Sequence, residues 1–452
     1  MRNFGLFVIA LLLGDASSVQ AETTFLKTNF RYQLGPADNP LSGLVPYRTA
    51  PRKDFPHSLE FVGMPFSDVV TGPGQYDFGL LESRLEDVRS RGNQAVVRFY
   101  ADWPDRTGVM PRYWRDAGLF TGWTNEATGQ SNVTPTWDDG IVRSEIVGLI
   151  EAFGRRYDGD VRIAYLEAGM IGSWGEWHNW PREADLWASK ETQRIILDAL
   201  ANSVRVIPTV LRYPYADGND LYADNTIYPL GYHDDSFAWA TMPDPRPGRE
   251  WYFGSLLADA GATRRWRTFP IGGEIRPEVW GRWASDPPGT PDGQDFATCR
   301  DAMHVIYLRE AGLFRDRDGE DNTAAYRQRA EMMVRKMGYD FFINDASMSG
   351  DVLSVSVENR GITPFYDERW KPLILVGGPN GRRRYEPNWR LTKLMPGKSR
   401  TWTMRMPDVN RPPGDVTIQF RNVMEGGKPL RFANAWQRRG GVLRIGRFVA
   451  AP

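Results

Sequence analysis

The sequence predicts an α/β protein, a (β/α)8 TIM-type barrel followed by a small C-terminal antiparallel β-sandwich. Three observations carry this reading. Short apolar runs alternate with amphipathic stretches from about residue 40 to 345, which is the signature of strand–helix units around a parallel sheet. The runs number eight, the count at which such a sheet closes. No glycine-rich phosphate loop follows the first of them, which removes a dinucleotide-binding fold. The 452 residues, 41% of them apolar, suffice for a barrel and a second module.

Taken in order, Gly43–Tyr47 is a short first strand and 57–62 (His-Ser-Leu-Glu-Phe-Val) a second. Asp77 then caps a helix with Leu81, Leu85 and Val88 on one face and a stop at Gly92. Gln94–Tyr100 is the third strand. Val142, Ile146, Leu149, Ile150, Phe153 and Tyr157 recur at helical spacing, so 140–157 is a helix. Val161–Ala168 is the next strand, Glu191–Leu200 a helix and Val204–Leu211 a strand. Further strands are expected at Thr226–Tyr232, Phe269–Ile275 and His304–Leu308, and a helix at Thr323–Met337 ends the barrel half, 22–346. From 347 to 452 the texture changes. Strands at 352–357, 373–376, 401–406, 416–420 and 442–445 are separated by Gly, Pro and Asn, the pattern of a small sandwich. Such a module either binds glycan or caps the barrel.

Residues 1–21 read as a secretory signal peptide. Arg2 precedes an apolar run from Phe4 to Leu13, and Val19 and Ala21 supply small residues for cleavage before Glu22. Ten apolar residues are too few to span a bilayer, and no other segment is long enough, so the expected location is periplasmic or secreted.

Charge is balanced, 56 Lys+Arg against 56 Asp+Glu, which removes the overall footprint of a nucleic-acid binder. A single cysteine, Cys299, excludes a disulfide framework and a multi-thiolate zinc site, and four histidines leave little for a His-built metal centre. No metal and no cofactor is expected. The 17 Trp, 18 Tyr and 22 Phe suit flat sugar rings as well as a core.

Chemistry gathers where barrel strands end, which is where such barrels place their sites. In 96–102, Arg98, Tyr100 and Asp102 share one face, as substrate-binding groups or as an internal ion pair. The densest stretch runs from Tyr165 to Trp180. Glu167 lies in a strand, and a glycine-rich loop then carries Trp174, Glu176, Trp177, His178 and Trp180. A carboxyl group among indoles has a raised pKa and suits a general acid, so Glu176 is the acid candidate, while Glu167, earlier within the strand, is either a second catalytic carboxyl or a support of the site from below. Glu274, after Gly272 and Gly273 and before Arg276, ends a late strand and is the nucleophile candidate. Two carboxyl groups across a barrel mouth are the minimum equipment for glycoside hydrolysis. Arg212, Tyr213, Tyr232, His233, Asp234 and His304 are further polar groups at strand ends, expected to bind sugar hydroxyls; His233, Asp234 and Asp235 are alternatively a metal patch.

Asn39-Pro40, 65–68 (Pro-Phe-Ser-Asp), 74–78 (Gly-Gln-Tyr-Asp-Phe), 169–178, 231–237 and 272–274 together resemble a bacterial family, domain of unknown function 4832, often found with the N-terminal domain 4874. The resemblance covers most of residues 39–450, and Trp174-Gly175-Glu176-Trp177-His178 is its most specific stretch. It implies kinship with clan A glycoside hydrolases, in which the acid/base glutamate ends strand four and the nucleophile ends strand seven. Carried over, Glu176 or Glu167 takes the first role and Glu274 the second. The clan's Asn-Glu pair is absent, since Leu166 precedes Glu167 and Gly175 precedes Glu176. Three functions are therefore open: an exported glycoside hydrolase acting on a poly- or oligosaccharide, a catalytically silent carbohydrate-binding or envelope protein, and a polysaccharide lyase using Tyr213 or Tyr232 as its base.

Overall fold

A computed structural model describes residues 23–450 except 50–53, 107, 127, 286–291, 316–322, 379–380, 407–412 and 439. The expected signal peptide lies outside the described residues.

Eight parallel strands follow one another around a single sheet: β1 Gly43–Val45, β2 Leu59–Pro65, β3 Gln94–Tyr100, β4 Ile163–Glu167, β5 Thr209–Arg212, β6 Gly231–Phe237, β7 Ile271–Ile275 and β8 Val305–Arg309. Tyr307–Arg309 of β8 pair with β1. Just past β1, the Phe61 amide donates to the Pro46 carbonyl (2.8 Å) and the Arg48 amide to the Phe61 carbonyl (3.1 Å), and these bonds close the ring. The molecule is a (β/α)8 barrel.

The outer layer is built from α1 Gly79–Ser90, α2 Gly140–Tyr157, α3 Lys190–Ser203, α4 Phe253–Asp259, α5 Phe296–Met303 and α6 Ala324–Val334. Asp139 caps α2 by accepting from Ile141 N (2.8 Å), and the helix buries Val142, Ile146, Leu149, Ile150 and Phe153. A Cβ on Gly154 of α2 would lie 2.3 Å from the Ser203 carbonyl, so only glycine lets α2 and the end of α3 approach this closely. Phe78, not the expected Asp77, is the N-cap of α1; Asp77, one position before it, accepts from Gly79 N (2.8 Å).

One strand is displaced from its expected place. Residues 226–230 are a loop, because Arg265 takes the carbonyls of Leu230 (2.7 Å) and Thr226 (3.0 Å) together with that of Tyr228. The strand begins at Gly231 and runs on through His233, Asp234 and Asp235. Those polar residues read as loop in the sequence, yet they are strand because they find charged or hydroxyl partners on both faces of the sheet.

Seven antiparallel strands follow: β9 Phe341–Ser349, β10 Val352–Asn359, β11 Pro372–Gly378, β12 Gly381–Tyr385, β13 Ser399–Arg405, β14 Gly414–Phe420 and β15 Leu443–Ala450. Strands β9, β10 and β13 form one sheet. The other has the order β15–β14–β11–β12, and its β15 edge is covered by a strand from the chain's start, Thr23–Lys27. Neither that pairing nor β9, which crosses residue 346, shows in the sequence pattern.

The two sheets share an apolar cluster with the lower interior of the barrel, where Leu59, Val96, Ala164, Val210 and Ile306 meet Phe341, Val355, Trp370 and Ile418. Polar ties run the same way. Lys428 N donates to Gly92 O (3.1 Å), Arg369 Nη1 to Gly159 O (2.7 Å), and His304 Nδ1 meets Ile362 O (2.6 Å). All three barrel partners lie where strands begin, so the C-terminal sheets seal the floor and leave the opposite rim as the mouth.

Candidate functional site

Strand alternation points Arg98 of β3, Glu167 of β4, His233 of β6, Glu274 of β7, and Tyr307 and Arg309 of β8 at the barrel axis. Glu176 arrives from the loop after β4. That loop turns tightly, with positive φ at Met170, Gly172, Trp174, Gly175 and Trp177. Three of those are not glycine, and bulky residues are held in this region only where the surroundings over-determine them. Here Ser173 N donates to His178 O (2.7 Å), Trp174 N to Asp102 O (3.0 Å) and Trp177 N to Ile171 O (3.2 Å). A Cβ on Gly169 would sit 1.9 Å from the Phe99 carbonyl, so the loop lies flat on β3.

The result is a buried network. Arg98 spans two carboxylates, Nε to Glu167 Oε2 and Nη1 to Glu176 Oε1, both at 2.7 Å. Arg309 spans the other gap, with Nη2 paired to Glu274 Oε2 and 3.3 Å from Glu176 Oε1. Both guanidinium carbons lie over the Phe61 ring, at 5.8 and 4.4 Å. Glu167 is completed from below by Tyr307 Oη and by His233 Nε2, each 3.1 Å from Oε1.

These neighbours set the proton positions. Burial would raise Glu167, but Arg98, His233 and Arg309 hold it well below the usual carboxylate range. Glu176 follows the same pattern: burial is outweighed by Arg98, His178 and Arg309. Glu274 behaves oppositely. Burial, against the pull of Arg309 and with the push of Glu176, lifts it to about 7. Three carboxylates thus face two guanidiniums, and the excess charge is relieved by a proton on Glu274. The raised pKa expected at Glu176 belongs instead to Glu274, because the indoles around Glu176 count for less than the Arg98 ion pair.

Beside this network lies a second group. Arg212 is paired with Asp235 and stacks 3.9 Å from the Tyr213 ring centroid, while Tyr213 Oη donates to Asp235 Oδ1 (2.7 Å). Tyr215 and Tyr222 stack at 3.9 Å between centroids, and Trp187 abuts Tyr222 at 5.5 Å. Half-buried Trp174 lies 5.8 Å from the His178 ring, and Trp180 stands 65% exposed at the rim. Arg276, just past β7, covers Trp239 at 5.3 Å and pairs with Glu278 (3.0 Å).

Glu176, His178 and Asp235 each bring a ligand atom within 4.8 Å of the others. The donor set does not suit a metal ion. Both carboxylates already carry guanidinium partners, and His178 Nδ1 accepts from Trp180 N (3.1 Å), which leaves the ring proton on Nε2, the atom facing Glu176. A metal patch of His233, Asp234 and Asp235 is not formed either, since Asp234 points away from its two neighbours.

Several expected site residues lie elsewhere. Asp102 is buried and accepts from Thr134 Oγ1 (2.9 Å) and Asn179 Nδ2 (3.0 Å), which makes it a brace for the loop after β4. Trp177 is core, its Nε1 tied to the Ala168 carbonyl. Tyr100 keeps the inward face of Arg98, packed on Trp103 at 4.9 Å. Tyr232 and Asp234 alternate outward from β6, to Asn225 Oδ1 (3.1 Å) and Thr241 Oγ1 (2.6 Å). His304 lies on the barrel floor, stacked on Trp266 at 3.7 Å. The lyase alternative loses its base: Tyr232 turns away from the axis, the buried Tyr213 hydroxyl donates to Asp235 (2.7 Å), and burial raises both phenols. The sequence reading missed Arg309 and Tyr307. The alternation applied to β3 finds them, because Tyr307 and Arg309 share one face of β8.

No family model and no curated protein matches the chain. Among solved structures it is similar to endo-glycoceramidase II from Rhodococcus sp. (13% identity, 84% of this chain and 99% of that one, TM-score 0.39). It is also similar to the β-amylase catalytic domain from Paenibacillus polymyxa (8%, 61% and 91%, 0.38) and to a Cellulomonas fimi endo-β-1,4-mannanase double mutant (12%, 91% and 94%, 0.30). The barrel assignment rests on strand order, and the functional reading on the residues at the mouth.

Proposed function

We propose that the protein is an exported glycoside hydrolase acting on a poly- or oligosaccharide, with Glu274 and Glu176 as its carboxyl pair. The observation that carries this is the bridge made by Arg309: one nitrogen, Nη2, reaches both groups. The Arg309–Glu274 contact is shorter than the 3.3 Å to Glu176, so the nearest oxygens of the two carboxyl groups lie closer together than the roughly 6.5 Å at which inverting pairs begin. That limit favours the retaining arrangement of about 5–5.5 Å over an inverting pair at about 6.5–9.5 Å.

The burial of Glu274 and the close Arg98 ion pair on Glu176 support a division of roles. Glu274 is the proton donor, with a pKa raised to about 7, and Glu176 is the ionised nucleophile. This reverses the order implied by the resemblance to clan A. In the first step Glu176 forms the glycosyl ester while the Glu274 proton passes to the departing oxygen. In the second, Glu274 takes a proton from water, which attacks the anomeric carbon and frees Glu176. Trp174, Trp180 and the Tyr215–Tyr222 stack supply flat faces for sugar rings.

The test is release of reducing sugar across a broad glycan panel. Glu176→Gln and Glu274→Gln should each lower turnover at least about a thousandfold while glycan binding persists. The complete pairing of the carboxylates with guanidiniums favours one second reading, a silent carbohydrate-binding barrel. Glycan binding with no turnover by the parent chain would select it. Export is tested separately, by whether the mature protein begins at Glu22.

A further inference from the structure

Far from the mouth, the outer face of the β15–β14–β11–β12 sheet carries a row of guanidiniums. Strand register places them. Arg444 lies opposite Thr417, Thr417 opposite Leu375, and Leu375 opposite Arg384, so one line across four strands begins and ends on arginine. Arg447 lies opposite Asp415, and Arg382 opposite Gly377. The alternate residues Val416, Ile418, Ile374 and Val376 point into the core, which leaves these arginines outward and exposed. Asp415 pairs with Arg438 (2.8 Å) and Arg447 (3.0 Å) and more loosely with Arg444 (3.9 Å), and Glu386 pairs with Arg384. Two carboxylates thus engage a face that bears five guanidiniums, on a chain of zero net charge.

A groove of about 260 Å³ opens at the edge of this face, lined by Phe30, Arg31, Trp436, Arg438 and Arg444 among others. Trp436 is 73% exposed and held at φ 61°, a region bulky residues rarely adopt. Its neighbours fix it there. Ala435 N donates to Arg31 O (2.9 Å), the Asn434 side chain bonds both Ile343 N and Ile343 O (3.0 and 2.8 Å), and Gln437 Nε2 donates to Asn434 O (3.0 Å). The fold therefore presents an indole to solvent at the end of a cationic strip. Among the described residues, the Arg31 guanidinium beside it has no ion-pair partner.

We propose that this face is a second binding site, for an acidic polysaccharide: Trp436 stacks on one sugar ring, and the arginines of the sheet engage carboxylates along the chain. An indole platform selects a ring, and a row of guanidiniums selects anionic substituents on it. The site needs no turnover at the barrel mouth, so its test is independent of the hydrolase reading.

The experiment is affinity electrophoresis of the full chain through gels containing polygalacturonate. Parallel gels contain neutral dextran or single-stranded DNA, and flotation is run with phosphatidylglycerol vesicles. Polygalacturonate should retard the protein, and the other three should not. Trp436→Ala, and Arg444→Ala with Arg447→Ala, should each weaken retardation about tenfold or more at an unchanged melting midpoint. Rising salt should weaken it as well. The proposal is overturned if polygalacturonate gives no retardation, if Trp436→Ala leaves it unchanged, or if DNA, dextran or vesicles are held equally well.

Discussion

His233 Nε2 stands 3.1 Å from Glu167 Oε1, and both side chains are buried within the barrel. With Arg98 on its other oxygen, Glu167 is a buried charge shared by Arg98, His233 and Tyr307. Glu167→Ala should therefore destabilise the barrel's centre, by about 3–5 kcal/mol, because Arg98 keeps only Glu176 and His233 loses its carboxylate. Urea unfolding measures this. A variant as stable as the parent would remove Glu167 from its structural role.

Activity should fall as pH rises through about 7, where Glu274 loses its proton. The alkaline limb of kcat/KM reads this directly, and a limb centred below pH 5 would reverse the two carboxyl roles.

Stability should fall over the same range. Burial also lifts Asp102 and Asp234 to about 7. For each group the folded pKa exceeds the unfolded one, so the folded state holds the proton more tightly. The stabilisation is complete below about pH 4 and disappears as pH climbs through 7, with a limiting slope of about 1.4 kcal/mol per pH unit for each group. Glu274→Gln should flatten the slope. An unchanged slope would place the proton elsewhere.

Gly169→Ala should lose both stability and turnover, since its methyl group would meet the Phe99 carbonyl at 1.9 Å and lift the loop bearing Glu176. Overpacking of this kind costs about 1–3 kcal/mol. Full turnover in this variant would mean that the loop's seat on β3 does not position Glu176.

Chelation should leave activity unchanged. The His178 lone pair that a metal would need is taken by the Trp180 amide. Loss of turnover in EDTA, restored by a divalent ion, would reopen the Glu176–His178–Asp235 group as a metal site.

The strands at 43, 94 and 271 were legible because apolar runs bounded by Gly and Pro leave few alternatives. The strand through His233–Asp235 was not, because polarity reads as loop until partners arrive from β3, β4 and β5 and from the loop after β6. The positions of Glu176 and Glu274 were likewise visible, but their protonation was not. Which carboxyl keeps a proton depends on how Arg98 and Arg309 divide themselves among three acids, and that division is tertiary. The outward turn of Tyr232 and Asp234 followed from a register known only once β6 was seen to start at Gly231.

Thr23 pairs with Ala450, and the register continues to Lys27 opposite Gly446. The Thr23–Lys27 strand must therefore wait for β15, which also pairs with β14, before it has a neighbour. Until then β15 does not exist as an edge to join, and the Thr23–Lys27 strand is an unpaired β segment trailing a barrel that can already be assembling. Completion of the molecule is thus a long-range event, slow by the usual dependence of folding rate on sequence separation. A circular permutant that joins 450 to 23 through a short linker would make that pairing local, and its final folding phase should be faster than the parent's.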